Sequence, residues 1–521
     1  MAPTEHAHCN TDYEPGQDNI QVLGLDIHNP VFVIAAGTIT LFVILSLLFI
    51  DQAAIAYSEV RLWITTRLDW LFYSAANFFV LLCLFLIVSP FGRIRIGGKT
   101  ADTHYNYASW FSMMFAAGVG IGLMFYGVLE PVTHTLTPPL GYSAEQALGM
   151  PGLGVATSTF HWGLHAWAIY AVMGLALAVF HYNKGLPLTV RSAFYPLLGE
   201  KVWGWPGHLI DVLAVFATLF GLATSLGIGA QQTSAGLNYL FGIPNSNTTQ
   251  VVVIMGITAI ALVSVLRGMD KGVKLLSEIN MGGAAILLIF VVVTGPTMAI
   301  VSGVGSNLVA YLEYLPALSN WVGREDDAFM HDWTTFYWAW WVAWSPFVGM
   351  FIARISHGRT VREFLIAALL VPTTVGLIWM TSFGGGAVEQ YLQMGSTGVT
   401  EVVQNGQIEL ALFKYLESLP FSTISSALGI VLVIIFFVTS MDSGSLVIDS
   451  ITAGGKINAP AMQRVFWCTF EGLVAIALLL GGGLGALQAA SLATGLPFVI
   501  VLLLMCVSLI RGLRSELSTN H

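Results

Sequence analysis

The chain has 521 residues, of which 56% are hydrophobic and only 9% are Asp, Glu, Lys or Arg. Its mean hydropathy is +0.76, whereas about 25% of the residues of an ordinary soluble domain are charged. This composition excludes a soluble globular protein and predicts a chain embedded in a lipid bilayer. The formal net charge of −9 reflects acidic loops and carries no message about nucleic acid, and no nucleic-acid partner is expected.

Twelve apolar stretches are each long enough to cross a hydrocarbon core of about 30 Å as a helix. In chain order they run over Pro30 to Ile50, Trp70 to Ser89, Ser109 to Val128, Ala156 to Phe180, Leu209 to Phe241, Val251 to Val265, Leu275 to Val301, Trp333 to Ile355, Phe364 to Gly384, Thr423 to Leu446, Phe466 to Leu480 and Leu487 to Ile510. The pattern predicts an all-α polytopic membrane protein with about twelve transmembrane helices.

The positive charges indicate the orientation of the chain in the membrane. Of the twenty lysines and arginines, all but Arg61, Arg67, Arg324 and Lys414 fall in one set of alternate loops and in the C-terminal tail. Positively charged loops are retained in the cytoplasm. We therefore predict a multi-pass protein of the bacterial inner membrane with both termini in the cytoplasm. The first stretch is too long for the core of a signal peptide and is expected to stay in the mature protein.

Two predicted helices contain residues that interrupt a helix. Gly118, Gly120 and Gly122 alternate within the third stretch, and each costs about 1 kcal/mol of helix propensity relative to Ala. Pro346 lies in the eighth stretch and lacks a backbone donor. Transporters built from inverted repeats carry broken helices at corresponding positions, and these two lie five stretches apart. Close helix packing is the alternative explanation for each.

This spacing fits a five-plus-five inverted repeat preceded by two extra helices. The predicted parts are a cytoplasmic N-terminal tail over 1–29, two peripheral transmembrane helices over 30–100, a first five-helix repeat over 101–302, a periplasmic loop over 303–332, a second five-helix repeat over 333–510 and a short cytoplasmic tail over 511–521. The last part holds only Arg511 and Arg514 as basic residues, whereas binding to anionic lipid needs clusters of about four to eight. We therefore expect no osmotic activation.

Aromatic residues cluster in the fourth and eighth stretches, at depths where an interfacial belt is not expected. The members are Trp162, Trp167, Tyr170, Trp338, Trp340, Trp341 and Trp344. Residues three apart on a helix are neighbours, so each helix presents paired rings. Ring faces attract a cation that has no N–H to donate, such as a quaternary ammonium or a sulfonium. The pattern predicts an onium-binding site, with core packing as the alternative.

Polar residues in the tenth stretch point to a driving ion. Thr439, Ser440 and Asp442 lie within an apolar helix, where such groups are costly unless they have a function. Hydroxyls and the carbonyls of unwound backbone suit a hard cation such as sodium. We predict that Thr439 and Ser440 bind sodium and that Asp442 gates this site or orients its groups. Hydroxyls that bond back to their own helix are the alternative.

Two histidines of the fourth stretch, His161 and His165, are spaced four residues apart. Such a pair can ligate zinc, but the sequence indicates no third ligand at a suitable spacing. We expect interhelical hydrogen bonds instead.

Three motifs resemble signatures of the betaine/choline/carnitine transporter family. They are Ala-Ala-Gly-Val-Gly-Ile-Gly-Leu-Met-Phe-Tyr-Gly at 116–127, Trp-Ala-Trp-Trp-Val-Ala-Trp-Ser-Pro-Phe at 338–347 and Phe-Val-Thr-Ser-Met-Asp-Ser-Gly-Ser at 437–445. The resemblance implies a leucine-transporter-type fold, a homotrimer and no enzymatic activity. It implies import of a zwitterionic quaternary ammonium or tertiary sulfonium compound, such as glycine betaine or dimethylsulfoniopropionate, by sodium-driven symport with alternating access.

The resemblance also assigns roles to individual residues. It places Trp162, Trp167, Tyr170, Trp340, Trp341 and Trp344 in the aromatic substrate box, Trp338 along the substrate route, and the backbone oxygens of Ala116, Val119 and Phe436 with the hydroxyls of Thr439 and Ser440 at a sodium ion. Thr218 matches a possible second sodium site. That site is incomplete, because the residue one turn later is Leu222.

Two departures from the family pattern bear on the substrate. Many members have Met where this chain has Val119, and choline carriers have Asp where it has Gly122. Both positions are expected to lie at the substrate, and the missing carboxylate favours a neutral zwitterion over choline. The fifth stretch lacks the Arg of sodium-independent carnitine exchangers, which favours sodium coupling. A choline or carnitine carrier or exchanger is the alternative within the family, and a substrate-gated channel or receptor is the alternative from another class.

Overall fold

The computed structural model describes residue 9 and residues 11–118, 120–150, 152–267, 272–456 and 458–519. Over these residues the chain is almost entirely helical. The helices are α1 Val31–Leu48, α2 Ile50–Val88, α3 Tyr107–Gly118, α4 Ile121–Leu136, α5 Ala144–Leu148, α6 Leu153–Trp162, α7 Leu164–Ala178, α8 Tyr195–Leu198, α9 Trp205–Phe241, α10 Asn247–Arg267, α11 Gly272–Thr294, α12 Thr297–Ser319, α13 Asp327–Phe329, α14 Phe336–Ile355, α15 Val361–Met380, α16 Gly386–Met394, α17 Gly398–Gln404, α18 Ala411–Glu417, α19 Ser422–Thr452, α20 Ala461–Leu480 and α21 Gly483–Thr519.

Several helices are extended by turns of other types. Three π-helical turns cover Val179–Asn183, Met330–Thr335 and Thr381–Gly385, and 3-10 turns cover Pro90–Arg93, Arg191–Phe194, Gly199–Trp203 and Ile408–Leu410. The first π-helical turn joins directly onto the end of α7, and the third links α15 to α16.

Eleven helical segments in the described part of the chain are long and apolar enough to cross a membrane. All of them except α12 coincide with a predicted stretch. The third and eighth predicted stretches are missing from this set, because the third is divided into α3 and α4 and the eighth is rich in tryptophan, whose N–H lowers its hydropathy. The prediction of an all-α polytopic membrane protein is confirmed.

The interruption predicted in the third stretch is present. Helix α3 ends at Gly118, and α4 begins at Ile121 after an extended residue, Gly120, with φ −156° and ψ −172°. The alternating glycines therefore do more than permit close packing: they divide the helix in the middle of the stretch.

The interruption predicted at Pro346 is wrong. Helix α14 runs without a break from Phe336 to Ile355. Pro346 has no N–H to donate to the carbonyl of Val342, four residues earlier. The hydroxyl of Ser345 donates to that carbonyl instead, at 2.7 Å, so the helix continues through the proline.

A second break lies in the fourth stretch, where none was predicted. Helix α6 ends at Trp162, α7 begins at Leu164, and Gly163 between them has φ −103° and ψ −131°. A Cβ on Gly163 would lie 2.6 Å from the carbonyl oxygen of Thr159. A single glycine inside a membrane helix is usually explained by packing, so this break could not be predicted from the sequence.

Two further features differ from the sequence prediction. The seventh stretch was expected to end at Val301, but Gly295 and Pro296 end α11, and α12 occupies much of the stretch assigned to a loop.

The segment assigned to an N-terminal tail contains an antiparallel hairpin of β1 Asn19–Val22 and β2 Leu25–His28, with Asn19 opposite His28. Lys456 forms an ion pair with Asp26 of this hairpin at 2.6 Å.

The helices that carry the predicted site lie at the centre of the protein. Helix α14 packs against α7, α9 and α21, and α19 packs against α9. The segment from Leu153 to Asn183 is the most deeply buried of the candidate spans, at 94% of its apolar window. Helices α4, α6, α7 and α14 are therefore largely buried among the other helices.

Candidate functional site

The aromatic residues predicted to form a substrate box line one cavity, which we call the aromatic cavity. Its lining includes Trp162, Trp167, Tyr170, Trp340, Trp341 and Trp344, together with Gly120, Gly122 and Ser225. The volume is about 600 Å³, including the space at its mouth. The structure thus brings all six aromatic residues together from α6, α7 and α14.

The rings of the aromatic cavity meet in stacked and edge-to-face pairs. Trp340 and Trp341 are stacked with ring centroids 4.8 Å apart, and Trp162 meets Trp341 edge to face at 4.8 Å. Trp167 and Tyr170 meet edge to face at 5.2 Å. Such arrangements align the quadrupoles of neighbouring rings favourably and restrain each ring. The cavity therefore has a fixed aromatic lining suited to a cation without N–H donors.

The break at Gly163 helps to position this lining. Because α6 ends at Trp162, the carbonyl of His161 accepts a hydrogen bond from the indole Nε1 of Trp341 at 2.8 Å. The backbone near Gly122 also approaches the cavity closely: a Cβ on Gly122 would lie 2.1 Å from the Trp162 ring. The ring position of Trp162 is therefore incompatible with any larger residue at position 122.

Two other residues, Val119 and Trp338, were predicted to contact the substrate or to lie along its route. Val119 lies outside the described residues. Trp338 is buried but is not among the residues that line the aromatic cavity, and its ring stacks on His165 with centroids 5.3 Å apart. Its place along a substrate route stays a prediction.

Four of the five residues predicted to bind sodium line a second cavity, which we call the hydroxyl cavity; the fifth, Val119, lies outside the described residues. Ala116, Phe436, Thr439 and Ser440 lie on its wall, with Ser277, Asn280 and Ser443. Its volume is about 800 Å³, including open space, and it shares Gly120, Trp344 and Val348 with the aromatic cavity. Both predicted binding sites therefore meet at the break between α3 and α4.

The hydroxyl of Thr439 also bonds back to its own helix. It lies 3.1 Å from the carbonyl oxygen of Ile435 and 3.0 Å from that of Phe436, as the alternative interpretation expected. A hydroxyl that donates its proton keeps lone pairs that can face a cation. These hydrogen bonds therefore orient the Thr439 oxygen and leave it competent as a ligand.

Thr218 and Asp442 are not among the residues that line the two cavities. The hydroxyl of Thr218 donates to the carbonyl of Ala214 at 2.8 Å, and Leu222 packs against Gly444. The Asp442 carboxylate accepts a hydrogen bond from Ser264 of α10. The second sodium site and the gating role stay predictions.

A buried carboxylate that the sequence analysis missed lies beside the aromatic cavity. Glu130 of α4 is fully buried, and one carboxylate oxygen, Oε1, lies 2.5 Å from Nδ1 of His161 and 3.4 Å from Nε2 of His134. The other oxygen, Oε2, accepts from the indole of Trp162 at 2.8 Å and from the hydroxyl of Tyr337 at 2.6 Å. The signal that could have identified it is an acid just after the predicted third stretch, which ends at Val128, in a helix that continues to Leu136.

Glu130, His134 and His161 form a cluster of possible metal ligands that contains His161 but not His165 of the pair considered from the sequence. Ligand atoms of a tetrahedral zinc ion, bound at about 2.0–2.1 Å, lie roughly 3.3 Å apart. The 2.5 Å between Glu130 and His161 is instead a hydrogen bond. His161 also contacts Thr334 at 2.9 Å, and His165 contacts Asn77 at 2.9 Å. The predicted interhelical hydrogen bonds are confirmed.

Comparison with known proteins gives the class to which this fold and site belong. The model of the BCCT family, described as betaine/carnitine/choline family transporter, matches residues 30–518. The chain therefore belongs to this family. It is a multi-pass membrane transporter and not an enzyme.

Individual relatives cover nearly the whole chain. The glycine betaine/proline/choline transporter of Vibrio parahaemolyticus is 55% identical over 97% of this chain and 94% of its own length. Glycine betaine transporter 1 of the same organism is 52% identical over 97% and 98%. The glycine betaine transporter of Acinetobacter baylyi is 42% identical over 94% and 74%.

Proposed function

We propose that this protein imports glycine betaine, or a similar zwitterionic onium compound, by sodium-driven symport with alternating access. The observation that carries this proposal is the aromatic cavity, in which six rings surround a space lined by Gly120, Gly122 and Ser225 rather than by a charged side chain. A cation–π site of this kind stabilises a permanent onium cation without a direct carboxylate partner. A zwitterion carries its own carboxylate as the countercharge of the onium head, so the lining needs no acidic side chain.

The choice of glycine betaine follows from the relatives and from Gly122. Glycine betaine is in the name of each of the three relatives described above. An Asp at position 122 would collide with Trp162, so the countercharge of choline carriers cannot be accommodated in this arrangement. Dimethylsulfoniopropionate has the same zwitterionic character and is proposed as a second substrate. Choline is the competing candidate, because it appears in the name of the relative that is 55% identical.

Sodium coupling is proposed from the hydroxyl cavity. Ala116, Phe436, Thr439 and Ser440 supply carbonyl and hydroxyl oxygens on one wall, and oxygen ligands are what a hard cation requires. Their position beside the break after α3 gives a physical route for coupling, because the same break borders the aromatic cavity. We further propose a homotrimer in the bacterial inner membrane with both termini in the cytoplasm, from the family resemblance and the distribution of positive charge.

Counterflow in proteoliposomes tests whether the protein is a carrier. Vesicles loaded with unlabelled glycine betaine should transiently accumulate labelled glycine betaine above its external concentration, because a carrier exchanges one molecule for another. A substrate-gated channel or a receptor would give no such overshoot. Competition by glycine betaine, dimethylsulfoniopropionate, carnitine and choline in the same assay ranks the substrates, and preference for choline over both zwitterions would overturn the substrate assignment.

A further inference from the structure

The Glu130 carboxylate lies one layer behind the aromatic cavity. It contacts the cavity through Trp162, whose indole N–H it accepts at 2.8 Å. It also accepts the hydroxyl of Tyr337 at 2.6 Å, and the Tyr337 ring stacks on Trp341 with centroids 5.6 Å apart. One buried acid therefore holds a ring of the cavity lining directly and supports a second through its neighbour.

The contacts of Glu130 are those of an ionised carboxylate. Its two oxygens accept from Trp162, Tyr337 and His161. His161 satisfies its own two contacts as a neutral imidazole, with Nδ1–H donating to Glu130 and Nε2 accepting from the hydroxyl of Thr334. Within the described part of the chain, the basic side chains that contact Glu130 are His161 and His134 alone. The Glu130 carboxylate therefore has two histidines beside it and no lysine or arginine partner among the described residues.

A negative charge at this place changes the electrostatics of the rings. Hydrogen bonds to an ionised acceptor are stronger than neutral ones, and chains of hydrogen bonds polarise one another in a medium of low dielectric constant. Donation of the Trp162 N–H to a carboxylate shifts electron density toward the ring, so its face becomes more attractive to a cation. The same contact fixes the ring against Trp341, which it meets at 4.8 Å.

We propose that Glu130 is a positioning and specificity-determining residue: it orients Trp162 and Tyr337 and makes the aromatic cavity prefer an onium cation over an uncharged group of the same shape. This inference rests on the proposed function and refines it. The lining has Gly122 where a carboxylate would face the substrate directly. Glu130 supplies a negative charge from behind Trp162, which separates it from the cavity. The substrate's own carboxylate is thereby spared a close like charge.

The test compares glycine betaine with 3,3-dimethylbutanoate, in which a tert-butyl group replaces the trimethylammonium head. Binding to the purified full-length protein is measured by calorimetry for the wild type and for Glu130→Gln. The substitution should weaken glycine betaine binding by about fivefold and leave binding of 3,3-dimethylbutanoate unchanged or improved. Equal weakening of both ligands would mean a purely structural role and would overturn the inference, as would unchanged binding of both.

Two further variants keep the result interpretable. In a Trp162→Phe background, which removes the N–H that transmits the effect, Glu130→Gln should change the ratio of the two affinities by less than about twofold, because contacting residues are non-additive. Glu471→Gln is the matched control, since Glu471 is an equally buried glutamate of α20, and it should leave the ratio at its wild-type value. If Glu130→Gln leaves the ratio of the two affinities at its wild-type value, this inference is overturned but the proposed function is not. A wild type that binds neither glycine betaine nor any other onium ligand overturns the proposed function itself.

Discussion

At the scale of single residues, the proposed onium site consists of aromatic rings at mid-depth in membrane helices, where an interfacial belt does not explain tryptophan. All six predicted rings line the aromatic cavity. Glu130 could not be assigned in the same way. Its importance depends on contacts with Trp162 and Tyr337, which lie 32 and 207 positions away in the chain, and no local spacing encodes contacts of that kind.

Trp344 provides the first test at this scale, because it lines both cavities. Replacing Trp344 with Leu keeps an apolar side chain but removes the ring quadrupole. Since a cation–π contact in a desolvated site contributes roughly 2 kcal/mol, affinity for glycine betaine should fall by about tenfold or more. The measurement is calorimetric binding to purified protein. Affinity within twofold of the wild type would show that Trp344 does not contact the onium head.

Gly122 provides a second test, of shape rather than charge. A Cβ at this position would lie 2.1 Å from the Trp162 ring, so Gly122→Ala should displace that ring and weaken glycine betaine binding by about tenfold, equivalent to 1.4 kcal/mol. Gly256→Ala in α10 is the matched control, because a Cβ there meets nothing within 4 Å. Equal affinities for the two variants would contradict the placement of Trp162.

At the scale of helices, the sequence identified the break in the third stretch but not the break in the fourth. Three alternating glycines gave a strong local signal for the break between α3 and α4, whereas Gly163 stands alone between α6 and α7. Pro346 gave a false signal, because the adjacent Ser345 supplies the hydrogen bond that the proline cannot. Whether a proline breaks a membrane helix therefore depends on the donors beside it, which a count of prolines does not include.

Ser345 allows this explanation to be tested by rescue. Ser345→Ala leaves the carbonyl of Val342 without its donor inside a membrane helix, which should lower stability by about 1–3 kcal/mol. The double variant Ser345→Ala with Pro346→Ala restores a backbone N–H to the same carbonyl and should recover most of that loss. Thermal unfolding in detergent measures both. A single variant as stable as the wild type, or a double variant that recovers nothing, would show that Ser345 is not what keeps α14 continuous.

At the scale of the whole molecule, hydropathy predicted the number and order of most spanning helices, because long apolar runs have few other structures available in a bilayer. It did not predict α12, whose apolar window is only 17% buried, or the hairpin that Lys456 ties to Asp26. These elements are stabilised by contacts with distant segments. The meeting of the two cavities at Gly120 and Trp344 likewise follows from how the helices pack.

The hydroxyl cavity predicts how the protein responds to sodium. Replacing Thr439 and Ser440 together with Ala removes two side-chain oxygens from its wall. A polar contact with a charged group contributes roughly 1.5–3 kcal/mol. The sodium concentration for half-maximal uptake should therefore rise by about tenfold or more. Ser425→Ala is the matched control, because Ser425 lies on the same helix and is not among the residues that line this cavity. An unchanged sodium requirement in the double variant would contradict the assignment of the site.

The most direct test of the central claim is uptake of labelled glycine betaine into proteoliposomes that contain the purified protein, with an inward gradient of either sodium or potassium at the same ionic strength. We expect accumulation above the external concentration with sodium and only equilibration with potassium, because the proposed coupling requires sodium and substrate to move together. Equal accumulation with both ions, or equilibration without accumulation under a sodium gradient, would contradict sodium-driven symport.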